Sequence, residues 1–460
     1  MLTTLKPCAA LFVAAIFFSA CKLTPKEGEK AEPKSAEAKM IDGHPDWIIQ
    51  GNIYEVNVRQ YTPEGTFKAF EKNLDRLKEM GVQTLWFMPI TPISKVDRKG
   101  ALGSYYAVAD YTAVNPEYGT LEDWKALVKH AHELGMKVII DWVANHTGCD
   151  HAWLTTNPDF YMLDSITKKP ISPFDWTDTK KLNYDNQLLQ DSMINEMKYW
   201  VTETDIDGFR CDVAGEVPDA FWTKCISTLR KEKYLFMLAE GERKGLHESG
   251  FDANYAWPDF ATFKKVANGQ TNALAIDTIL QKSDTLYPAN GLKLFFTSNH
   301  DENTWNKADY GTMPGAVHAP FAVLTQTMVH SVPLIYSGQE EPFLDSLSFF
   351  YKDTISFSKY QRAKFYKTLL NLRKSNAALA SNASFKKVVV GDEKALYAYV
   401  REGGGKKVFV ILNLSAKEQT IKVTDASLHG EPYNVFMGTK EPLKGTDWKI
   451  EPWGYVVYEY

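Results

Sequence analysis

From Gly51 to about Ser375, apolar runs of strand type alternate with amphipathic runs of helical type. That alternation leaves few folds open to the chain. Asn52 to Val58 reads as a first strand, and Phe67, Phe70, Leu74 and Leu77 recur at helical spacing until Gly81. Thr84 to Phe87 and Lys137 to Trp142 are the next two strands. The helix between them starts at Thr120, with Asp123 three residues on as a variant of the capping box, and stops at Gly135. Ile206 to Cys211, Tyr234 to Ala239, Phe251 to Tyr255, Leu292 to Phe296 and Val332 to Tyr336 bring the strands to eight. Alternating units of this kind build a parallel sheet with helical crossovers. Eight of them predict an α/β protein, a closed (β/α)8 TIM barrel with its chemistry at the C-terminal strand ends. An open doubly wound sheet is the alternative, but no glycine-rich dinucleotide fingerprint follows the first strand.

Spacing refines this plan. Asp141 and Asp212 lie 71 residues apart, against 28 from Asp212 to Glu240. Roughly forty residues are therefore surplus in the third unit, which predicts a small insertion at about 146–186 beside the active face. Its Trp153, Phe160, Tyr161, Phe174 and Trp176 are bulky enough for a lid-like wall. Beyond the helix around Tyr360 to Ser375, short β runs with polar or glycine-rich breaks predict a separate antiparallel β-sandwich over 380–460. The catalytic barrel is then 42–376. Tyr433, Trp448 and Trp453 of the last domain are expected to pack rather than bind polymer.

The first 20 residues have the layout of a signal peptide: Lys6, an apolar run from Ala9 to Phe18, then Ser19-Ala20-Cys21. The run is too short for a mature membrane span. The small residues before Cys21 resemble a bacterial lipobox, which implies cleavage there and a lipid anchor on Cys21. Residues 21–41 read as a solvated, flexible tether. The chain is thus expected in the cell envelope, attached to a membrane by its lipid. A net charge of -5 with no long basic run argues against a nucleic-acid partner. Cys149, Cys211 and Cys225 have neither metal-ligand spacing nor an even count, and read as packing residues.

Acidic residues recur where barrel strands end. In Asp207-Gly208-Phe209-Arg210-Cys211-Asp212, Arg210 and Asp212 share a strand face, so the guanidinium favours an ionised Asp212. A structural ion pair is the plainer reading of those two residues alone. Asp141, Asp212, Glu240 and Asp301 all fall at or beyond strand ends and should gather in one cleft. Carboxyl groups crowded together separate in pKa, which makes the acid–nucleophile pair required for retaining glycosidic cleavage. His146 and His300 would add neutral donors for sugar hydroxyls.

Asp141-Trp142-Val143-Ala144-Asn145-His146, Gly208 to Asp212, Glu240 after its β run, and Phe296-Thr297-Ser298-Asn299-His300-Asp301 resemble, in order, the four motifs of the α-amylase family, glycoside hydrolase family 13. Tyr54 to Arg59 is similar to that family's first strand, and Pro333 to Glu340 to its last. The resemblance covers about Gly51 to Ser375. It implies Asp212 as nucleophile, Glu240 as general acid/base and Asp301 as a grip on ring hydroxyls in the transition state. It implies further that Arg210 keeps Asp212 ionised and that Tyr106, His146 and His300 line the subsite of the cleaved sugar. Asp141 would support the site; the residues alone do not separate its part from that of Asp301.

Two stretches depart from the family pattern. Gly215-Glu216 stands where Lys-His is frequent, which leaves acceptor-side specificity open. Lys181 stands where an aspartate often binds calcium, and an ammonium cannot ligate a hard cation. No cofactor is therefore expected; calcium at Asn145 is the one exception left open. The expected activity is retaining hydrolysis of α-1,4 bonds in starch-like polymers or maltooligosaccharides. A cyclomaltodextrinase, neopullulanase or 4-α-glucanotransferase is the alternative within the family. A non-catalytic glycan-binding barrel is the alternative outside it.

Overall fold

The computed structural model describes residues 39–307, 313–341 and 345–460. The expected signal peptide, Cys21 and nearly all of the tether lie outside the described residues. Order begins slightly before the expected boundary at 42: Met40–Ile41 pairs antiparallel with His44–Pro45. His44 pins this turn to the barrel, its Nδ1 2.9 Å from Asp252 and its Nε2 2.8 Å from the Asn290 carbonyl. No helix among the described residues is long and apolar enough to cross a membrane.

Eight parallel strands close into a barrel: β1 (Ile53–Val56), β2 (Thr84–Phe87), β3 (Lys137–Trp142), β4 (Gly208–Cys211), β5 (Phe236–Ala239), β6 (Ala253–Tyr255), β7 (Leu292–Phe295) and β8 (Ser331–Tyr336). Each pairs with the next in sequence, and β8 closes on β1. Strand alternation divides the core in two. Ile53, Trp86, Ile139, Phe236, Leu238, Leu294 and Leu334 fill the interior, while Tyr54, Leu85, Ile140, Phe209 and Met237 pack outward under the helices. Tyr336, Glu55, Trp86 and Ile139 stand in register across β8, β1, β2 and β3. They therefore share the inner face, and Glu55 is a carboxylate set among apolar side chains. Gly208 opens β4 because a Cβ there would lie 2.0 Å from the Phe236 carbonyl oxygen.

Local signals explain most of the helices. Thr120 and Asp123 form the capping box on Leu121–Glu133. The helix expected from Phe67 is instead two, Phe67–Glu71 and Leu74–Met80. Asn73 turns its side-chain amide back onto the carbonyls of Ala69 and Phe70, a local bond that competes with helix continuation. Gly81 ends the second with φ 104°.

The insertion begins with His146–Gly148, paired antiparallel to Thr179–Lys181. It ends at Asn186, whose side chain caps the long helix Gln187–Thr204. Past the barrel, β9 (Ser384–Val388), β10 (Leu396–Gly403) and β11 (Lys406–Asn413) form an antiparallel sheet with β13 (Tyr433–Asn434), β14 (Thr439–Lys440) and β16 (Tyr455–Glu459). One face of this sheet carries a small core under the hairpin of β12 (Gln419–Ile421) and β15 (Trp448–Ile450). On the other face Tyr397, Tyr399, Val408 and Leu412 join the core of the barrel itself. The C-terminal domain thus shares its interior with the barrel instead of standing apart. Trp453 packs on that shared core, whereas Tyr433 is exposed. Cys211 and Cys225 are buried as expected, but Cys149 is only half-buried, its thiol against the Thr177 carbonyl.

At the opposite end of the barrel from the strand tips, His132 Nε2 sits 2.7 Å from Asp207, which also receives Lys137 and Lys233. Burial opposes a charged ring, but the hydrogen bonds to Asp205 and Asp207 outweigh it and lift His132 to about 9. A pKa raised by folding contributes stability that is complete below the unfolded value and lost as pH rises through the folded one. The melting temperature of His132→Gln should therefore fall furthest below wild type at mildly acidic pH. The gap should narrow between about pH 6.5 and 9; a gap that widens over that range would contradict the pairing.

Candidate active site

The strand tips converge on one cleft of about 430 Å3, lined by Tyr106, His146, Asp212, Glu240, His300 and Asp301 among others. Arg210 lies beneath it, fully buried. All the residues singled out for this site from the sequence meet here. Its architecture centres on the Arg210 guanidinium. One terminal nitrogen, Nη1, is 2.8 Å from Asp141 and 3.0 Å from Asp212; the other, Nη2, is 2.9 Å from Glu240. Nε donates to the Tyr255 hydroxyl at 3.1 Å, and the rings of Trp86, Tyr106 and Tyr255 surround the cation.

Backbone geometry draws Glu240 to Asp212. Val213, directly after Asp212, has φ 36° and ψ 45°, left-handed values that strain a β-branched residue. In that conformation its amide donates to Oε2 of Glu240 at 2.8 Å. The strained peptide ties the carboxyl after β5 to the one after β4. Asp301 comes from the helix His300–Asn306, whose N-cap Asn299 accepts from the Glu302 amide at 2.9 Å. That cap sets His300 and Asp301 in the first turn, facing the cleft.

Charge is distributed less simply than the Arg210–Asp212 alternation suggests. The guanidinium serves three carboxyl groups, so it does not simply hold Asp212 ionised. Burial first, then the Glu240 carboxylate, push Asp212 well above the usual carboxylate range against the pull of Arg210. Burial also raises Asp141. Three carboxyl groups around one cation retain a proton that isolated ones would lose. The two histidines also differ. His146 is neutral, pushed down to about 3 by burial, and its Nε2 is buried without a protein partner. His300 is lifted to about 9 despite burial, because Asp301 and Glu55 face it, so the expectation of two neutral donors holds for His146 alone.

Several lining residues were not singled out as site residues from the sequence. Phe349 stacks parallel to Tyr106 at 6.2 Å and 12°, and Trp305 packs beyond it at 5.5 Å. Both come from loops, where no periodicity marks a functional position. From the insertion, Trp176 stands edge-on to His146 at 5.4 Å, as a lid-like wall requires. Asp178 pairs across the cleft with Lys99 at 3.2 Å. Glu55, 2.5 Å from His300, had one available signal: an acidic residue at an inward position of a barrel strand.

The place where the family resemblance implies calcium does not fit a hard cation. Lys181 pairs in register with His146 and sends its ammonium toward Glu216 at 3.6 Å. The Asn145 carbonyl accepts from the Leu182 amide, and its side-chain nitrogen faces His146. Among the described residues no three His, Cys, Asp or Glu side chains converge as a metal site.

A parallel barrel with paired carboxyl groups over a buried arginine at its strand tips is the architecture of a glycoside hydrolase. Comparison with known proteins supplies the family. The α-amylase catalytic domain matches residues 38–179. The α-amylase MalA of Haloarcula japonica is 25% identical over 402 residues, 82% of this chain and 57% of its own length. α-Amylase 3 of Dictyoglomus thermophilum is 26% identical over 447 residues, covering 81% of this chain and 86% of that one. The crystal structure of an α-amylase from Lactobacillus plantarum superposes with a TM-score of 0.81 at 29% identity, over 90% of this chain and 99% of that one. The chain belongs to the α-amylase family of glycoside hydrolases.

Proposed function

We propose that this cleft hydrolyses α-1,4-glucosidic bonds of starch-like polymers or maltooligosaccharides with retention, through a covalent glycosyl-enzyme intermediate. The observation that carries the reading is the shared guanidinium, with Asp212 and Glu240 on its two terminal nitrogens. A retaining pair sits closer together than an inverting pair, which must leave room for a water molecule. The Val213 amide, holding Glu240 beside the Asp212 peptide, favours the close arrangement.

In this reading Glu240 delivers the proton retained by the cluster to the leaving oxygen as Asp212 attacks the anomeric carbon. Loss of that proton frees Asp212 from the competition that raises it, and Arg210 then stabilises the ionised nucleophile. Asp301 grips ring hydroxyls as the sugar flattens toward the oxocarbenium ion. His146 offers its unpartnered Nε2 to the same sugar, and Tyr106 supplies a stacking face. Water then enters beside Glu240, which now acts as base, and releases a product of unchanged anomeric form.

Gly215-Glu216 favours a second reading of specificity. Glu216 is drawn toward Lys181 of the insertion, so the acceptor side differs from the usual Lys-His arrangement. Cyclomaltodextrin or pullulan cleavage, or transfer to a second glucan, follows from such a change. The expected lipid anchor at Cys21 would place this activity at a membrane of the cell envelope.

On maltoheptaose the wild type should release shorter products only, α-anomeric when first formed, as followed by proton NMR. Longer products would identify a transferase, and β-anomeric ones would exclude the double-displacement route. Asp212→Asn should lower kcat by about 10^4-fold or more while calorimetry still detects glucan binding. Full turnover in that variant would remove Asp212 from its role.

We also propose that the junction between barrel and insertion needs no calcium. Chelation with EDTA should leave the melting temperature unchanged. A calcium-dependent rise would instead reveal a bound ion.

A further inference from the structure

Outside the cleft, the His300 ring meets a side chain that no substrate reaches. Its Nδ1 lies 2.5 Å from Oε1 of Glu55, a residue of 0% exposure on the inner face of β1. The second carboxyl oxygen of Glu55 has no partner. On the other side of the ring, Nε2 lies 2.8 Å from the Tyr106 hydroxyl and 3.4 Å from Asp301. Tyr106 has a single proton, which it donates to Oδ2 of Asp141 at 3.2 Å. Its oxygen must then accept from His300, so Nε2 carries hydrogen. The Nδ1 contact with a carboxyl group needs a proton as well, and a neutral imidazole has only one N–H. The two contacts together require one proton more than neutral His300 supplies.

We propose that Glu55 is a positioning residue for the reaction: by keeping a proton at Nδ1 of His300, it fixes Nε2 as an N–H donor aimed at Tyr106 and Asp301. The proposal rests on the reading of the cleft as a glycosidase site. Asp301 is the most exposed of the three reacting acids, at 37% of its side chain, and this donor is its nearest fixed partner. Without Glu55, Nε2 is free to become an acceptor, and Asp301 would then face a lone pair.

The groups around the ring act in both directions. Glu55 from β1 and Asp301 from the ring's own helix favour the charged form, whereas Arg210 from β4 and burial oppose it. Asp141 from β3 and Tyr106 complete the polar surroundings, Trp86 sets its edge against the ring at 6.0 Å, and Tyr336 of β8 faces Glu55. The balance lifts the ring to about 9. Deprotonation in that range should form the alkaline limb of the kcat/KM profile.

The test combines imidazole titration with enzyme kinetics. In the full chain labelled with 15N-histidine, the His300 resonance, assigned by its absence from His300→Asn, should titrate near pH 9. In Glu55→Gln it should move down by about 1–2 units, and the alkaline limb on maltoheptaose should move with it. Glu55→Asp, which restores the charge, should recover part of the shift. A wild-type His300 titrating below neutrality would overturn the proposal, even if Glu55→Gln fails to fold. Identical titrations and limbs in wild type and Glu55→Gln would overturn it equally. An enzyme that turns over no α-glucan would refute the functional reading instead, leaving the imidazole titration to decide the Glu55 contact.

Discussion

The site depends on one cation that water does not reach. Moving a guanidinium from water into a protein interior is costly unless its charge and its N–H groups are matched. Here the inward alternation of β3 and β4 and the first residue after β5 bring Asp141, Asp212 and Glu240 to it. Deleting one partner of such a buried set commonly costs about 3–5 kcal/mol, since the rest is left uncompensated. Arg210 therefore couples the stability of the barrel top to the geometry of the cleft. The same pairing leaves negative charge in excess, so the cluster retains a proton where glycoside cleavage needs one to move.

Rigid elements hold that arrangement. Asp141 and Arg210 sit within strands, while Asp212 and Glu240 follow β4 and β5 directly. The Val213 turn spends backbone strain on aiming one amide at Glu240. Asn299 orients the turn that carries His300 and Asp301. Loops and the insertion supply the walls: Phe349 and Trp305 on one side, Trp176 and the Lys99–Asp178 pair on the other. Chemistry is thus placed by the scaffold and substrate shape by the connections, the usual division in such barrels.

Much of this was legible in the sequence. Period-two and period-3.6 patterns disclose the eight units, and Thr120, Gly81 and Asn186 mark real helix ends. Strand alternation puts Arg210 and Asp212 on one face, and the spacing from Asp141 to Asp212 locates the insertion between His146 and Asn186. Long-range relations were not legible. That Arg210 serves three acids, that Glu55 reaches His300 across 245 positions, and that the C-terminal sheet shares the barrel's core all depend on how distant segments meet. The helix break at Asn73 was missed because a side-chain bond to Ala69 and Phe70 overrides a good apolar stripe.

The most direct measurement is to catch the sugar on the enzyme. Glu240→Gln treated with α-maltosyl fluoride, a substrate whose leaving group needs no acid, should accumulate its intermediate because no base activates water. Mass spectrometry of the digested protein should then find one maltosyl unit on the peptide bearing Asp212, bound as an ester. Label on a different carboxylate, or rapid turnover of the fluoride with no covalent species at any time, would contradict the account.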